Sequence, residues 1–313
     1  MSGEELVKHQ HMVPKLYLRF FSHNDSTLYV FDKFNLRIYP GSIKTIGSER
    51  FFYDFNLTSE DKNQIIEKEV NPEYEGSISL FLSDLIRQIH TIKHFTLKLH
   101  HKDILGKYIA YQHIRTRRFR EEYIRAGTGV ELYEPITFDL NPDIEHLGVL
   151  VKNSYYVEKI KSILLKDYNW IIAINDTNEK FYTSDHPVAQ RESMNSLAEK
   201  NDSLSIWDFS DEVSFPLTPD IVLIFIHKQQ GEQKHRDQRR LRNKIIRISD
   251  IEMVHRLNKM QIERSYRQVY SIDGNYDYVK KLEEERRAKL IELGHDQKKM
   301  LLPEWVNNDQ VQS

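Results

Sequence analysis

The chain has 313 residues, with 45 Lys and Arg against 47 Asp and Glu, a formal charge of -2. A balance this close to neutral gives no overall field to recruit nucleic acid or an anionic membrane, so any such contact has to be a local patch. Cysteine is absent, which excludes disulfides and zinc–thiolate sites and fits a reducing compartment.

The opening MSGEELVKHQ is acidic and polar where a secretion signal is basic and then apolar, so the chain is expected to be cytoplasmic. Next, KHQHMVPKLYLRFF (8–21) sets His9 and His11 ahead of Pro14. Proline suits the first turn of a helix, whose inner face would be Val13, Leu16, Tyr17 and Phe20. His11 then falls just outside that helix, where its ring can ligate a metal, move a proton or cap, and His9 should be dispensable. The runs at 28–32 and 36–40 flank a short turn, and 42–47 follows as a third strand of a small antiparallel meander.

From Ser59, an N-cap candidate, the period becomes helical, and a second helix should begin near Pro72 and run into the low 90s. Its stripe is Glu75, Ile78, Leu82, Leu85 and Ile89. A long helix over 102–126, closed by Gly127 and Gly129, carries Leu105, Tyr108, Gln112, Arg115, Phe119 and Tyr123 at spacings of three and four. Gln112 and Arg115 are the polar members of that face, and a buried Arg115 requires a carboxylate. Antiparallel packing of the two helices makes Glu75 that partner, either as a structural clamp or as part of a working site. A fourth helix covers 142–166.

The texture then turns to strands at 169–175, 181–184, 203–209, 212–217 and 220–227, the apolar runs WIIAI (170–174) and IVLIFI (221–226) being far shorter than the roughly 20 residues of a membrane span. In FYTSDHPV (181–188), Pro187 extends His186 and leaves Asp185 where the strand breaks, as a site acid or as a cap on nearby amides. SFPLTPD (214–220) reads as a strand end shaped by two prolines. Helices return at 250–268 and 276–292. The expected architecture is one α+β domain over 1–300, with antiparallel strands segregated from a long-helix bundle and a frayed tail at 301–313. An alternative has two lobes meeting near residue 135.

Three further features bear on metals and partners. His90 and His94 have metal-pair spacing but lack the glutamate of the zinc-hydrolase pattern. RTRRFREEYIR (115–125) pairs Arg117 with Glu121 and Arg118 with Glu122, as a solvated face does. KHRDQRRLRNK (234–244) has little internal neutralisation, so Arg236, Arg239, Arg240 and Arg242 are the expected nucleic-acid contacts. With no Walker loop, dinucleotide glycine motif or GxSxG elbow, and 11 glycines in all, nucleotide-driven mechanisms are disfavoured.

HMVPKLYLRF (11–20), the helical Glu75, AYQHIRT (110–116), TSDHPV (183–188) and PLTP (216–219) together resemble the bacterial family catalogued as domain of unknown function 4238, over about 9–270. The family often has Asn in place of His186 and an aromatic in place of Met12. The resemblance brings no settled activity, but it implies a component of anti-phage defence. The expected function is a defence effector that hydrolyses phosphodiester bonds as a metal-dependent nuclease. Glu75 and Asp185 would hold Mg²⁺ or Mn²⁺, His11 would act as general base, and Gln112 and Arg115 would steady the phosphate. The alternatives are a non-catalytic module that recognises a phage component or nucleic acid, and a buried polar network that specifies the fold.

Overall fold

The computed structural model describes residues 6–54, 64–76, 78–92, 94–127, 142–192, 210–228 and 243–292. The opening segment forms β1 (His9–His11) and, after Pro14, a single turn α1 (Lys15–Leu18) that tightens into a 3-10 turn (Arg19–Phe21). Three residues per turn shifts the buried set from the helical expectation. Val13, Tyr17, Leu18 and Phe21 are buried, while Leu16 and Phe20 are only partly so.

β2 (Thr27–Asp32) and β3 (Arg37–Ser42) form the expected hairpin, but 42–47 is a turn, not a third strand. Gly47, at φ +67, reverses the chain so that β4 (Ser48–Arg50) pairs with β1 instead. A Cβ on Gly47 would lie 3.0 Å from Val13 Cβ and 3.2 Å from Val13 O, so no larger residue fits this turn unstrained.

A π-helical stretch (Ile66–Val70) leads into α2 (Asn71–Glu75), which is separate from α3 (Ile78–Thr91). Glu75 therefore ends a short helix; it does not open a long one. The single helix expected over 102–126 is two, α4 (Leu99–Ile114) and α5 (Arg117–Gly127). Thr116 breaks it: its hydroxyl donates to His113 O (3.1 Å) and accepts from Phe119 N (3.3 Å), the bond of an N-cap. The next helix likewise divides at Lys152 into α6 (Pro142–Val151) and α7 (Asn153–Asp167).

The remaining elements are β5 (Tyr168–Asn175), β6 (Thr183–Ser184), β7 (Ala189–Glu192), β8 (Ser210–Thr218), β9 (Ile221–His227), β10 (Ile245–Ile248), α8 (Ile251–Arg264), β11 (Gln268–Ser271) and α9 (Asp277–Glu292). They complete an α+β fold with sheets of order β10-β5-β9-β8-β7 and β3-β2-β11-β6. The first is not purely antiparallel, because β10 pairs parallel to β5. β5 is buried along its whole length, which explains its unbroken apolar run. Tyr168, Trp170 and Ile172 join the core made by α4 and α7, while Ile171 and Ala173 face Val254, Leu257 and Met260 of α8. Each such large apolar side chain contributes about 1.5–3 kcal/mol by burial.

Residues 185–188 carry the chain from one sheet to the other. Tyr17 holds that crossing: its hydroxyl donates to Pro216 O (2.8 Å), so the Thr183 hydroxyl donates to it (2.7 Å). Arg118 and Glu122 do pair, at 2.6 Å, but both are largely buried against the end of α8, so this face of α5 is not the solvated one that its charge pattern suggests. Among the described residues no helix is long and apolar enough to cross a membrane. Ser59, Gly129, the strand expected at 203–209, the lobe junction near 135 and the tail 301–313 lie outside the described residues.

Candidate ligand-binding cleft and its polar support

Arg115 follows the last turn of α4 and is fully buried. Its Nη1 donates to Glu75 Oε1 at 2.7 Å, its Nη2 donates to His11 O, and its Nε approaches Tyr53 OH at 3.4 Å. The Tyr53 hydroxyl in turn donates to Arg115 O at 3.0 Å. One turn earlier, Gln112 Nε2 donates to Met12 O at 2.9 Å. Two side chains of one helix thus grip consecutive carbonyls of the strap 11–13. The strap's other side is held by Gly47 O, which accepts from Met12 N (2.8 Å) and Val13 N (3.0 Å).

Burial opposes the charge on Arg115, but Tyr53, Glu75 and Tyr111 outweigh it and raise the guanidinium well above its ordinary pKa. Glu67 stands beside the pair. Burial raises its carboxyl, Arg115 opposes that rise and Glu75 adds to it. The His11 ring points elsewhere, donating from Nε2 to Ile43 O at 3.1 Å, and burial first, then Lys15, lowers its pKa to about 4. It is a neutral imidazole at physiological pH.

Across the strap lies a cleft of about 360 Å³, lined by Met12, the 47–49 turn, Phe34, Arg117, Asp185 and the 266–268 loop. Arg117 makes a two-pronged pair with Glu49, at 2.9 and 2.6 Å, and reaches Glu121 at 3.2 Å. Arg267 holds Asp32 Oδ2 through Nε (2.9 Å) and Nη2 (2.5 Å). Their guanidinium carbons lie 5.8 Å from the Tyr266 ring centroid and 5.4 Å from that of Phe34, within cation–π range.

Asp185 fixes the loop that carries this wall. Its Oδ1 accepts from Tyr266 N (2.8 Å), and its Oδ2 accepts from Arg267 N (2.7 Å) and Gln268 N (2.8 Å). Burial pushes its carboxyl up to about 6, while these three amides pull toward the anion. Asp185→Asn would set an amide NH₂ against backbone donors, so it is expected to cost about 1–3 kcal/mol and to be no more stable than Asp185→Ala. Urea denaturation of the three proteins checks this, and an Asn variant as stable as the parent would refute it.

The structure gathers His11, Glu75, Gln112 and Arg115 around the strap, but through His11 its backbone carbonyl takes part rather than its imidazole. Asp185 is the member of the expected set that lines the cleft. Glu75 and Asp185, expected to share a cation, have separate partners: a guanidinium on one side and three backbone amides on the other. Among the described residues no group of three or more His, Cys, Asp or Glu stands where it could hold a metal ion. Arg236, Arg239, Arg240 and Arg242 lie outside the described residues.

Sequence reasoning missed Tyr53, Glu67, Glu49, Arg117 and Arg267. Arg267 was hidden because 250–268 reads as one helix, although Val269 and Tyr270 just beyond it are the β-branched and aromatic types that strands favour. The Arg117–Glu49 pair, 68 residues apart, leaves no local signal.

Fold and site define an α+β protein with a preformed polar and aromatic cleft, braced from behind by a buried arginine. The chain belongs to the family described as protein of unknown function (DUF4238), whose model matches residues 9–275 and so contains every residue of the cleft. No curated protein and no solved structure matches it.

Proposed function

We propose that the chain is a recognition module of bacterial anti-phage defence, acting in the cytoplasm, and that its ligand, a phage component or nucleic acid, sits in the cleft between the strap, the start of α5 and the 266–268 loop. The defence setting comes from the family resemblance. The observation that carries the binding reading is the state of the cleft's charges: Asp185 is engaged by three amides, and Arg117 and Arg267 are each locked to a carboxylate. Such a surface is organised before a ligand arrives, which lowers the cost of binding. A metal-dependent nuclease built on Glu75 and Asp185 would instead need both carboxylates on one cation.

Incubation with DNA and RNA, with and without Mg²⁺ or Mn²⁺, separates the two. The recognition module leaves the strands intact. Cleavage that requires the divalent ion and disappears in Glu75→Gln and Asp185→Asn would overturn it. In a phage plaque assay the parent is expected to protect and Phe34→Leu, which removes a cleft ring, to lose protection at an unchanged melting temperature. Equal protection by both would exclude the cleft as the working site.

A further inference from the structure

We propose that the cleft takes a nucleoside phosphate, free or as the end of a strand. This rests on the reading of the cleft as the ligand site and adds the chemistry of what fills it. Its volume of about 360 Å³ lies at the small-molecule end of the roughly 300–1,000 Å³ range for ligand sites, room for one ring system and its substituents.

The lining supplies both halves of such a ligand. Phe34 and Tyr266 are half-buried, with ring centroids 6.0 Å apart and tilted by 59°, a contact that does not sandwich a base but lets it stack on one ring while the other closes the side of the cleft. Beside them the Arg117–Glu49 pair sets guanidinium donors next to carboxylate acceptors, the alternation that a base edge presents. For the phosphate, Arg267 is the better placed arginine. Its side chain is 42% exposed against 29% for Arg117. Asp32 occupies its Nε and Nη2, and among the described residues Nη1 has no acceptor. A guanidinium already oriented by one carboxylate and stacked on Phe34 offers that free N–H to an anion at little conformational cost. An aromatic peptide would use the same rings, and its backbone amides would match Arg117 and Glu49, but it brings no phosphate for Arg267 Nη1.

Calorimetric titration with the four nucleoside 5′-monophosphates, the matching nucleosides, inorganic phosphate, and short single strands with and without a 5′-phosphate tests this. At least one monophosphate is expected to bind more tightly than its nucleoside and than inorganic phosphate. Phe34→Leu should weaken it about tenfold, the effect of losing one stacking platform. Arg267→Gln should weaken the monophosphate by a similar factor and leave the nucleoside unchanged, and Arg87→Gln on the exposed face of α3 should change nothing. A phosphorylated strand that binds more tightly than the free monophosphate assigns the ligand to a strand end, and the reverse assigns it to a free nucleotide. Inorganic phosphate binding as tightly as any nucleotide, or nucleotide binding indifferent to both cleft variants, would overturn the proposal. If no nucleotide binds while Phe34→Leu still abolishes phage protection, the ligand class is wrong and the cleft remains the site; if that variant also protects, both readings fall.

Discussion

Arg115→Leu is expected to lower the unfolding free energy by about 3–5 kcal/mol, the usual cost of removing one partner of a buried ion pair. The reason lies in what remains. Glu75, the carbonyl of His11 and the hydroxyl of Tyr53 lose their shared donor, and Glu67 is left beside Glu75 with no intervening cation. Glu75 keeps some contact with water, its side chain being 27% exposed, so Arg115→Leu with Glu75→Leu should recover part of the loss. Arg115→Lys should fall between, since an ammonium keeps the charge but cannot span the carboxylate and the carbonyl as a planar fork does. Guanidinium chloride denaturation of the four proteins checks the order, and a loss below about 1 kcal/mol for Arg115→Leu would show that the arginine carries no such load.

Acid is expected to unfold the protein well before its carboxylates are exhausted, because His11, His113, His146 and His186 are buried as neutral rings. Burial is the largest cause in each, lowering His11 and His113 to about 4, His146 to about 3 and His186 well below the ordinary value. His146 shows the geometry plainly: its Nε2 donates to Ile114 O at 2.7 Å and its Nδ1 accepts from Arg120 Nε at 3.0 Å, so an added proton would face a guanidinium. His186 and His113 lie with ring centroids 5.1 Å apart and face Arg118 and Arg264, with Glu122 nearby.

In the unfolded chain these rings take up protons as pH falls through about 6.5, and in the folded protein only lower, at about 4 for His11 and His113, about 3 for His146 and well below the ordinary value for His186. The unfolded state therefore binds more protons in that window, so the stability is fully present above about 6.5 and is lost on the way down. Asp185 works in the opposite sense, since its folded carboxyl still holds a proton near pH 5 that the unfolded chain has released. The buried histidines outnumber Asp185 and Glu67, the carboxyls that burial raises, so protons are taken up on unfolding at pH 5, and each net proton costs about 1.4 kcal/mol of stability per pH unit. Calorimetry in buffers of different ionisation enthalpy counts those protons directly, and a flat stability profile between pH 7 and pH 5 would contradict the burial of the histidines as neutral rings.

Much of this was readable locally. The apolar runs at 170–174 and 221–226 became adjacent strands of one sheet, because a segment buried on both faces has to be apolar at every position. The Glu75–Arg115 pair followed from placing a charge that cannot be left alone in a core, and the geometry shows it at 2.7 Å. Element boundaries were less legible. Thr116 divides α4 from α5 through bonds of its own hydroxyl, and the third strand expected at 42–47 is instead a turn, after which Gly47 sends 48–50 to β1. In each case a side-chain or turn preference that costs little by itself is decided by what packs around it.

By itself the sequence determined which segments are buried, that the class is α+β, and which polar residues needed partners, since periodicity and the cost of an unpaired charge both act over a few residues. Only the tertiary structure decided which partners they found. Asp185 meets amides some 80 positions away, Arg267 meets Asp32 across 235, and Arg117 meets Glu49 across 68. A hydrogen bond between distant segments is worth so little net free energy that it imposes no pattern on the chain around either residue; it forms where the packing of sheets and helices brings donor and acceptor within reach.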